Sequence, residues 1–190
     1  MKFRGSGMPD EQMWNTFFNP KEILSKMEVT AGIGTLMDIG CGYGPFMIPA
    51  SKIIEGRVVG IDIEREMIET CAKKLHENNV GNAELICGDI SAEATWRSLN
   101  PYKGNVDYIT LFNILHCEHP QELLKSAYNL LKTNGKIGVI HWVHGPTPRG
   151  PAMEIRPKPE AITDWAARVG FILTKEVALP PYHFGLIFKK

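Results

Sequence analysis

Asp38-Ile39-Gly40-Cys41-Gly42-Tyr43-Gly44 follows the apolar run Thr35-Leu36-Met37 and precedes the stretch Pro45 to Ile54. The order reads as a strand, a glycine turn and a helix. Glycines at such a turn let backbone approach a ligand, and a helix start favours anionic groups. The dinucleotide-binding pattern G-x-G-x-x-G, counted from Gly40, requires glycine at 45 and meets Pro45. An acidic residue, Asp38, stands two places before Gly40. The turn therefore does not fit a nicotinamide oxidoreductase.

The chain continues with the same alternation. Arg57 to Ile61 is a strand closed by Asp62, and residues 64–78 set Met67, Ile68, Cys71 and Leu75 at helical spacing. Ala83 to Cys87 is a strand closed by Gly88-Asp89, and a short helix is expected near 91–98. Val106 to Phe112 is a strand, Pro120 to Lys132 a helix, and Lys136 to Val143 a strand. Strands alternating with helices predict an α/β fold with a parallel sheet covered on both faces. After a helix over Ile162 to Val169, two runs, Phe171 to Leu179 and His183 to Phe188, are joined by Pro180-Pro181-Tyr182. So short a link makes them antiparallel. Before the first strand, Asn19-Pro20 with Glu22 marks a helix start. Pro49 requires a kink or a late start in the helix after the glycine turn.

Ligands sit at the carboxyl ends of parallel strands. Three such ends carry acids: Asp38, Asp62 and Asp89. Asp62 stands twenty-two residues after Gly40, where a carboxylate can accept from both hydroxyls of a ribose. Asp89 can accept from an exocyclic adenine amine, and Ile63 and Ile90 supply apolar walls. Asp62 and Asp89 can also be read as helix caps.

These residues resemble the class I S-adenosylmethionine-dependent methyltransferases, and in particular the small type 11-like methyltransferase domain. The resemblance covers roughly residues 35–175. It rests on the Asp38 to Gly44 turn, Asp62, Gly88-Asp89, Val106-Asp107-Tyr108-Ile109, Asn113-Ile114-Leu115-His116 and Leu130 to Lys136. It implies a Rossmann-like sheet of seven mostly parallel strands, flanked by helices, with a C-terminal antiparallel pair. It further implies that Asp38, Gly40, Cys41 and Gly42 hold the methionine part of S-adenosylmethionine. Asp62 would hold the ribose, Asp89 and the backbone of Ile90 would meet the adenine with Ile63 as a wall of its ring, and backbone near Phe112 and Asn113 would lie beside the methionine moiety. Many relatives carry two histidines after strand four, where this chain has His116-Cys117.

Methyl transfer needs chiefly alignment and exclusion of water, with a general base only where the acceptor loses a proton. His116 is the candidate base, the other reading being a structural histidine bonded to backbone. His119, before Pro120, is expected to cap a helix. His141 and His144, at the end of strand five, are candidates for the acceptor side, and so is Trp14 as a lid. Residues 1–30 are expected to form an N-terminal helical lid segment, and 31–190 the methyltransferase domain. The stretch 145–159 holds five of the thirteen prolines and three basic residues, Arg149, Arg156 and Lys158. It reads as a solvated loop or as a trap for an anionic acceptor.

The 190 residues have a formal net charge of zero. That excludes a strongly basic nucleic-acid binder and a polybasic membrane binder. Residues 1–95 carry 9 basic and 14 acidic side chains, and residues 96–190 carry 12 and 7. This split fits an acidic donor side and a basic acceptor side. The four cysteines form no C-x-x-C pair, no histidine and cysteine spacing suits a metal, and no apolar run reaches roughly 18 residues. Reduced thiols, no metal and the cytoplasm are expected. The acceptor is expected to be a small molecule. A regulatory module that binds the cofactor without turnover, and an RNA or protein methyltransferase, remain as alternatives.

Overall fold

The computed structural model describes residues 19–190. The Trp14 lid and its neighbours Phe17 and Phe18 lie outside the described residues. Helix α1 (Pro20–Lys26) starts as its sequence requires. Asn19 is the cap, its Oδ1 accepting from the Glu22 amide at 3.4 Å, and Pro20 fills the first position.

The alternating unit then runs β1 (Thr35–Ile39), α2 (Met47–Ile53), β2 (Arg57–Asp62), α3 (Arg65–Glu77), β3 (Ala83–Cys87), α4 (Glu93–Leu99), β4 (Val106–Phe112), α5 (Pro120–Leu130) and β5 (Leu131–Trp142). Helix α6 (Pro159–Val169) and strands β6 (Ile172–Leu179) and β7 (His183–Lys189) complete the chain. The seven strands form one sheet in the order β3-β2-β1-β4-β5-β7-β6. Strands β1 to β5 pair in parallel, and β7 is antiparallel to both β5 and β6. The expected Rossmann-like α/β architecture with its antiparallel end is thus present.

Alternate residues of each strand enter opposite cores, as the two-residue period of a strand requires. Leu36, Val58, Tyr108 and Ile187 join the core under α1, α2 and α3, with Leu24, Met47, Ala50, Cys71 and Leu75. Their neighbours Met37, Val59, Ile109 and Leu186 join the core under α4, α5 and α6, with Leu99, Leu123, Leu124, Ala127, Ile162 and Ala166. Both faces of β1 and of the inner part of β2 and β4 are therefore dry, β3 at the sheet edge is only partly covered, and the carboxyl ends of β1, β2, β3 and β4 are left to form a site. Within the expected segment 1–30, Leu24 of α1 and Met27 at its C-cap are fully buried, and Tyr108 Oη donates to the Met27 carbonyl at 2.5 Å.

One boundary decides between two expected alternatives and another differs from expectation, each for a physical reason. Helix α2 starts late, at Met47, which places Pro49 in its first turn, where the missing N–H has no helical partner to lose. Helix α5 stops at Leu130 rather than Lys132. Leu131 already has extended backbone and pairs with Val106, so β5 begins there and passes through a bulge before Lys136 resumes the ladder with Tyr108. His119 stands at the cap position of α5, but its side chain makes no capping bond.

Candidate active site

The glycine turn owes its shape to β2 as much as to its own residues. Gly40, Gly42 and Gly44 have φ of 81°, 53° and 85°, a region that side chains disfavour. At Gly40 a Cβ would meet Ile114 at 2.8 Å. The amides of Gly40 and Cys41 donate to the Ile61 carbonyl at 2.8 and 3.1 Å. The Gly42 amide donates to Asp62 Oδ2 at 2.8 Å, and the Glu64 amide donates to Asp62 Oδ1 at 2.9 Å. Asp62 is thus both a helix-entry residue and the tie that fixes the turn. Each of its oxygens keeps a second lone pair for a ligand.

Asp38, at the end of β1, is only 3% exposed. The β1–β4 register sets it opposite Thr110, whose hydroxyl donates to Asp38 Oδ1 at 2.6 Å. Burial and, more weakly, the neighbouring Asp62 push its carboxyl up to about 6, against the Thr110 bond. Sequence reasoning missed Thr110, because only the register between β1 and β4 reveals it. The raised value has a stability consequence. The unfolded chain loses this proton near 3.8 while the folded chain keeps it to about 6. Stability is therefore full below about 4, falls as pH rises to about 6, and stays lower above. The difference is on the order of 3 kcal/mol for a shift of this size. Asp38→Asn keeps the shape and the Thr110 bond without the charge. Urea denaturation at pH 4 and pH 7.5 is expected to show the two proteins alike at the lower pH, with the variant more stable at the higher. Equal stabilities at both would refute the buried charge.

Asp89, after β3, accepts from the amide and hydroxyl of Ser91 at 2.8 and 2.7 Å. Ile90 beside it is buried, while Ile63 is 51% exposed. Asn113 follows β4 at φ 57°, with its amide N–H donating to the Ile140 carbonyl at 2.7 Å. Neither Oδ1 nor Nδ2 of Asn113 has a partner, although both are buried. An unmet buried amide is costly and points to a group that the structure does not hold.

The carboxyl ends of these strands open on one cavity of about 1330 Å³, the open solvent at its mouth included. Asp38, Gly40, Cys41, Gly42, Asp62, Ile63, Asp89, Ile90 and Asn113 all line it. Phe112 lines it too, together with Phe46 and Trp142, two aromatic side chains that sequence reasoning did not single out. Cys41 is buried, and its contact with Cys71, then burial, push its thiol far above the usual range, so it is a packing group rather than a nucleophile.

The acceptor-side candidates divide. His116 lines the cavity, and its Nδ1 lies 3.3 Å from Nε2 of His141, which is fully buried behind it. Arg149 also lines the cavity. His144 is exposed on the loop and is absent from the lining. Arg156 is turned away from the cavity. Its guanidinium donates to the carbonyls of Val143 at 2.9 Å, Gly145 at 3.0 Å and Pro151 at 2.7 Å. The basic residues of the loop therefore do not converge: Arg156 staples the loop, and Lys158 is exposed. In space the cavity holds Asp38, Asp62, Glu64 and Asp89 against Arg149, so the acidic part of the charge split is local and the basic part is not. Among the described residues, no cluster of metal-ligating side chains is present. No helix among them is long and apolar enough to cross a membrane.

Known proteins agree with this geometry. Residues 36–135 match the methyltransferase domain family. The chain is 27% identical over 124 residues to a demethylmenaquinone methyltransferase of Oceanobacillus iheyensis, covering 63% of this chain and 49% of that one. It is 28% identical over 166 residues to the nocamycin O-methyltransferase of Saccharothrix syringae, covering 83% and 51%. The chain spans about half the length of the curated relatives it matches. An S-adenosylmethionine-dependent methyltransferase of Aquifex aeolicus superposes with a TM-score of 0.82 at 21% identity, covering 95% of this chain and 93% of that one. The [4+2]-cyclase SpnF superposes at 0.75 with 14% identity, covering 99% and 86%. These two likenesses concern the fold. The match over residues 36–135 spans the glycine turn, all three acidic strand ends and β4, and the chain accordingly belongs to the methyltransferase domain family.

Proposed function

We propose that the protein transfers a methyl group from S-adenosylmethionine to a small-molecule acceptor. The observation that carries this reading is the convergence of Asp38, Asp62 and Asp89 from three strand ends on one largely apolar cavity. The donor set suits the cofactor. Buried Asp38 and the unpartnered Asn113 amide match the charged and polar methionine end. The remaining lone pairs of Asp62 match a ribose diol. Asp89, with Ile63 and Ile90, matches a flat heteroaromatic ring. When bound, the cofactor supplies a sulfonium-activated methyl group, so the protein has chiefly to orient the acceptor and exclude water.

The names of both curated relatives refer to small molecules, which supports an acceptor of that size. Arg149 is the basic side chain placed to meet an anionic one. This reading sets the protein in the cytoplasm. A second reading is cofactor binding without methyl transfer.

The test has two stages. Calorimetry is expected to show binding of S-adenosylhomocysteine, and binding of a nicotinamide dinucleotide in its place would overturn the reading. Purified protein, methyl-labelled cofactor and cell extract are then expected to yield label in the small-molecule fraction. Label in RNA or protein would move the acceptor class, and binding without label transfer would favour the second reading.

A further inference from the structure

We infer that the acceptor is a planar aromatic molecule with an anionic substituent, its ring lying against Phe112 and Trp142 and its charge toward Arg149. The inference rests on the methyl-transfer reading above and names the class of small molecule that this reading leaves open.

The topology divides the cavity. The parallel part of the sheet runs β3-β2-β1-β4-β5. The acidic ends belong to its first three strands: Asp89 follows β3, Asp62 ends β2 and Asp38 stands near the end of β1. The last residues of the next two strands are aromatic, Phe112 on β4 and Trp142 on β5. A donor held by the three acids therefore leaves the ends of β4 and β5 for the molecule that it methylates.

The register sets both rings on one face. Phe112 pairs with Ile140, and Trp142 stands two residues further along β5. Phe112, Ile140 and Trp142 accordingly join the same core, the one under α1, α2 and α3. From that side Phe46, just before α2, meets Phe112 edge to face, with centroids 4.7 Å apart and an interplanar angle of 76°. All three side chains are buried in the fold and all three line the cavity. Trp142 is fixed from two further directions. His183 packs on it with ring centroids 4.1 Å apart, and a Cβ on Gly150 would meet its ring at 2.9 Å. The residues on either side of Gly150, Arg149 and Pro151, line the cavity as well.

A wall of fixed rings selects by shape. It offers a flat surface without further ordering of its own side chains. A ring placed on an aromatic partner gains roughly 2- to 10-fold in affinity beyond the area it buries, which a saturated molecule of equal size does not. Charge selects in the same direction. The acids that line the cavity, Asp38, Asp62, Glu64 and Asp89, follow the donor strands, whereas Arg149 comes from the loop after β5. An anionic group is thus repelled from the donor half and drawn to the half with the aromatic wall.

The experiment is calorimetry and ¹H NMR on the full chain saturated with S-adenosylhomocysteine. The probes are 2-naphthoate, its saturated counterpart decahydro-2-naphthoate, and the neutral 2-naphthamide. 2-Naphthoate is expected to bind at least about fivefold tighter than either of the others, two ring contacts being made. Its ring protons are expected to move upfield, the signature of stacking on aromatic rings. Trp142→Leu should abolish both the preference over the saturated acid and the upfield shift, and Trp142→Phe should retain both. Phe112→Leu reads the same wall if Trp142→Leu does not fold. Arg149→Met should abolish the preference over the amide. Equal binding of the two acids, an unshifted spectrum, or a preference intact in both leucine variants would overturn the aromatic class. Equal binding of acid and amide would overturn the anionic substituent, and binding of none of the probes would overturn both. Failure to bind S-adenosylhomocysteine would sink the methyl-transfer reading instead, while the wild type and Trp142→Leu compared without cofactor still read the wall.

Discussion

Asp62→Ala is expected to lower the affinity for S-adenosylhomocysteine by at least about 100-fold. Asp62 binds the Gly42 amide at 2.8 Å and the Glu64 amide at 2.9 Å through different oxygens. Charge-assisted bonds of this kind contribute roughly 1.5–3 kcal/mol each. Their loss releases a turn whose three glycines already hold φ values of 53–85°, so the cradle opens at the same time as the proposed ribose ligand disappears. With 1.4 kcal/mol per tenfold in affinity, two kcal/mol of turn energy and one hydroxyl bond already exceed about a factor of 100. Asp62→Asn separates the two contributions. It keeps the shape but sets an NH₂ group against one of the two amides, and it should fall between the wild type and alanine. Calorimetry on all three proteins is the check, and an alanine variant binding within about threefold of the wild type would remove Asp62 from the site.

Arg156→Met is expected to destabilise the protein by about 2–4 kcal/mol, whereas Lys158→Met in the same loop should change stability by less than about 0.5 kcal/mol. The Arg156 guanidinium serves three carbonyls, those of Val143, Gly145 and Pro151, and lies 5.9 Å from the Trp142 ring. The loop is wound closely around it. Gly150 has φ 113°, and a Cβ there would meet both Trp142 and Arg156 at about 3 Å. Methionine can fill the volume of the stem but leaves the carbonyls unpaired. Burial already pulls the Arg156 guanidinium below its ordinary value, yet it is the group that ties the loop together. Chemical denaturation should register the loss, and proteolysis of residues 145–159 should accelerate in Arg156→Met alone. Equal behaviour of the two variants would show the staple to be unimportant.

These two residues mark what was legible in the sequence. Asp62 was readable because a strand end, a glycine turn and an acid twenty-two residues on are local signals joined by a topological rule. Arg156 was not. A run with Arg149, Arg156 and Lys158 gives three equal positive charges, and nothing in their order says which will find carbonyls at hydrogen-bond distance. The bonds depend on how five prolines fold one loop back on Val143. The same holds for Thr110, whose bond to Asp38 follows from the register of two strands 72 residues apart. His141 was readable as a strand-end residue but not as the partner of His116, since 25 residues and a helix separate them.

The sequence by itself determined the α/β alternation, the antiparallel end, the three acidic strand ends and the family resemblance. Each rests on a short period or a fixed spacing along one stretch of chain, which hydrophobic patterning and turn chemistry dictate locally. The tertiary structure alone decided which of the basic and imidazole groups reach the cavity, how far Asp38 is lifted, and which nitrogen of His116 faces its partner. Those depend on burial and on bonds between distant segments. The strengths of both are set by the few ångströms between groups in the folded chain, and the sequence order does not specify those distances.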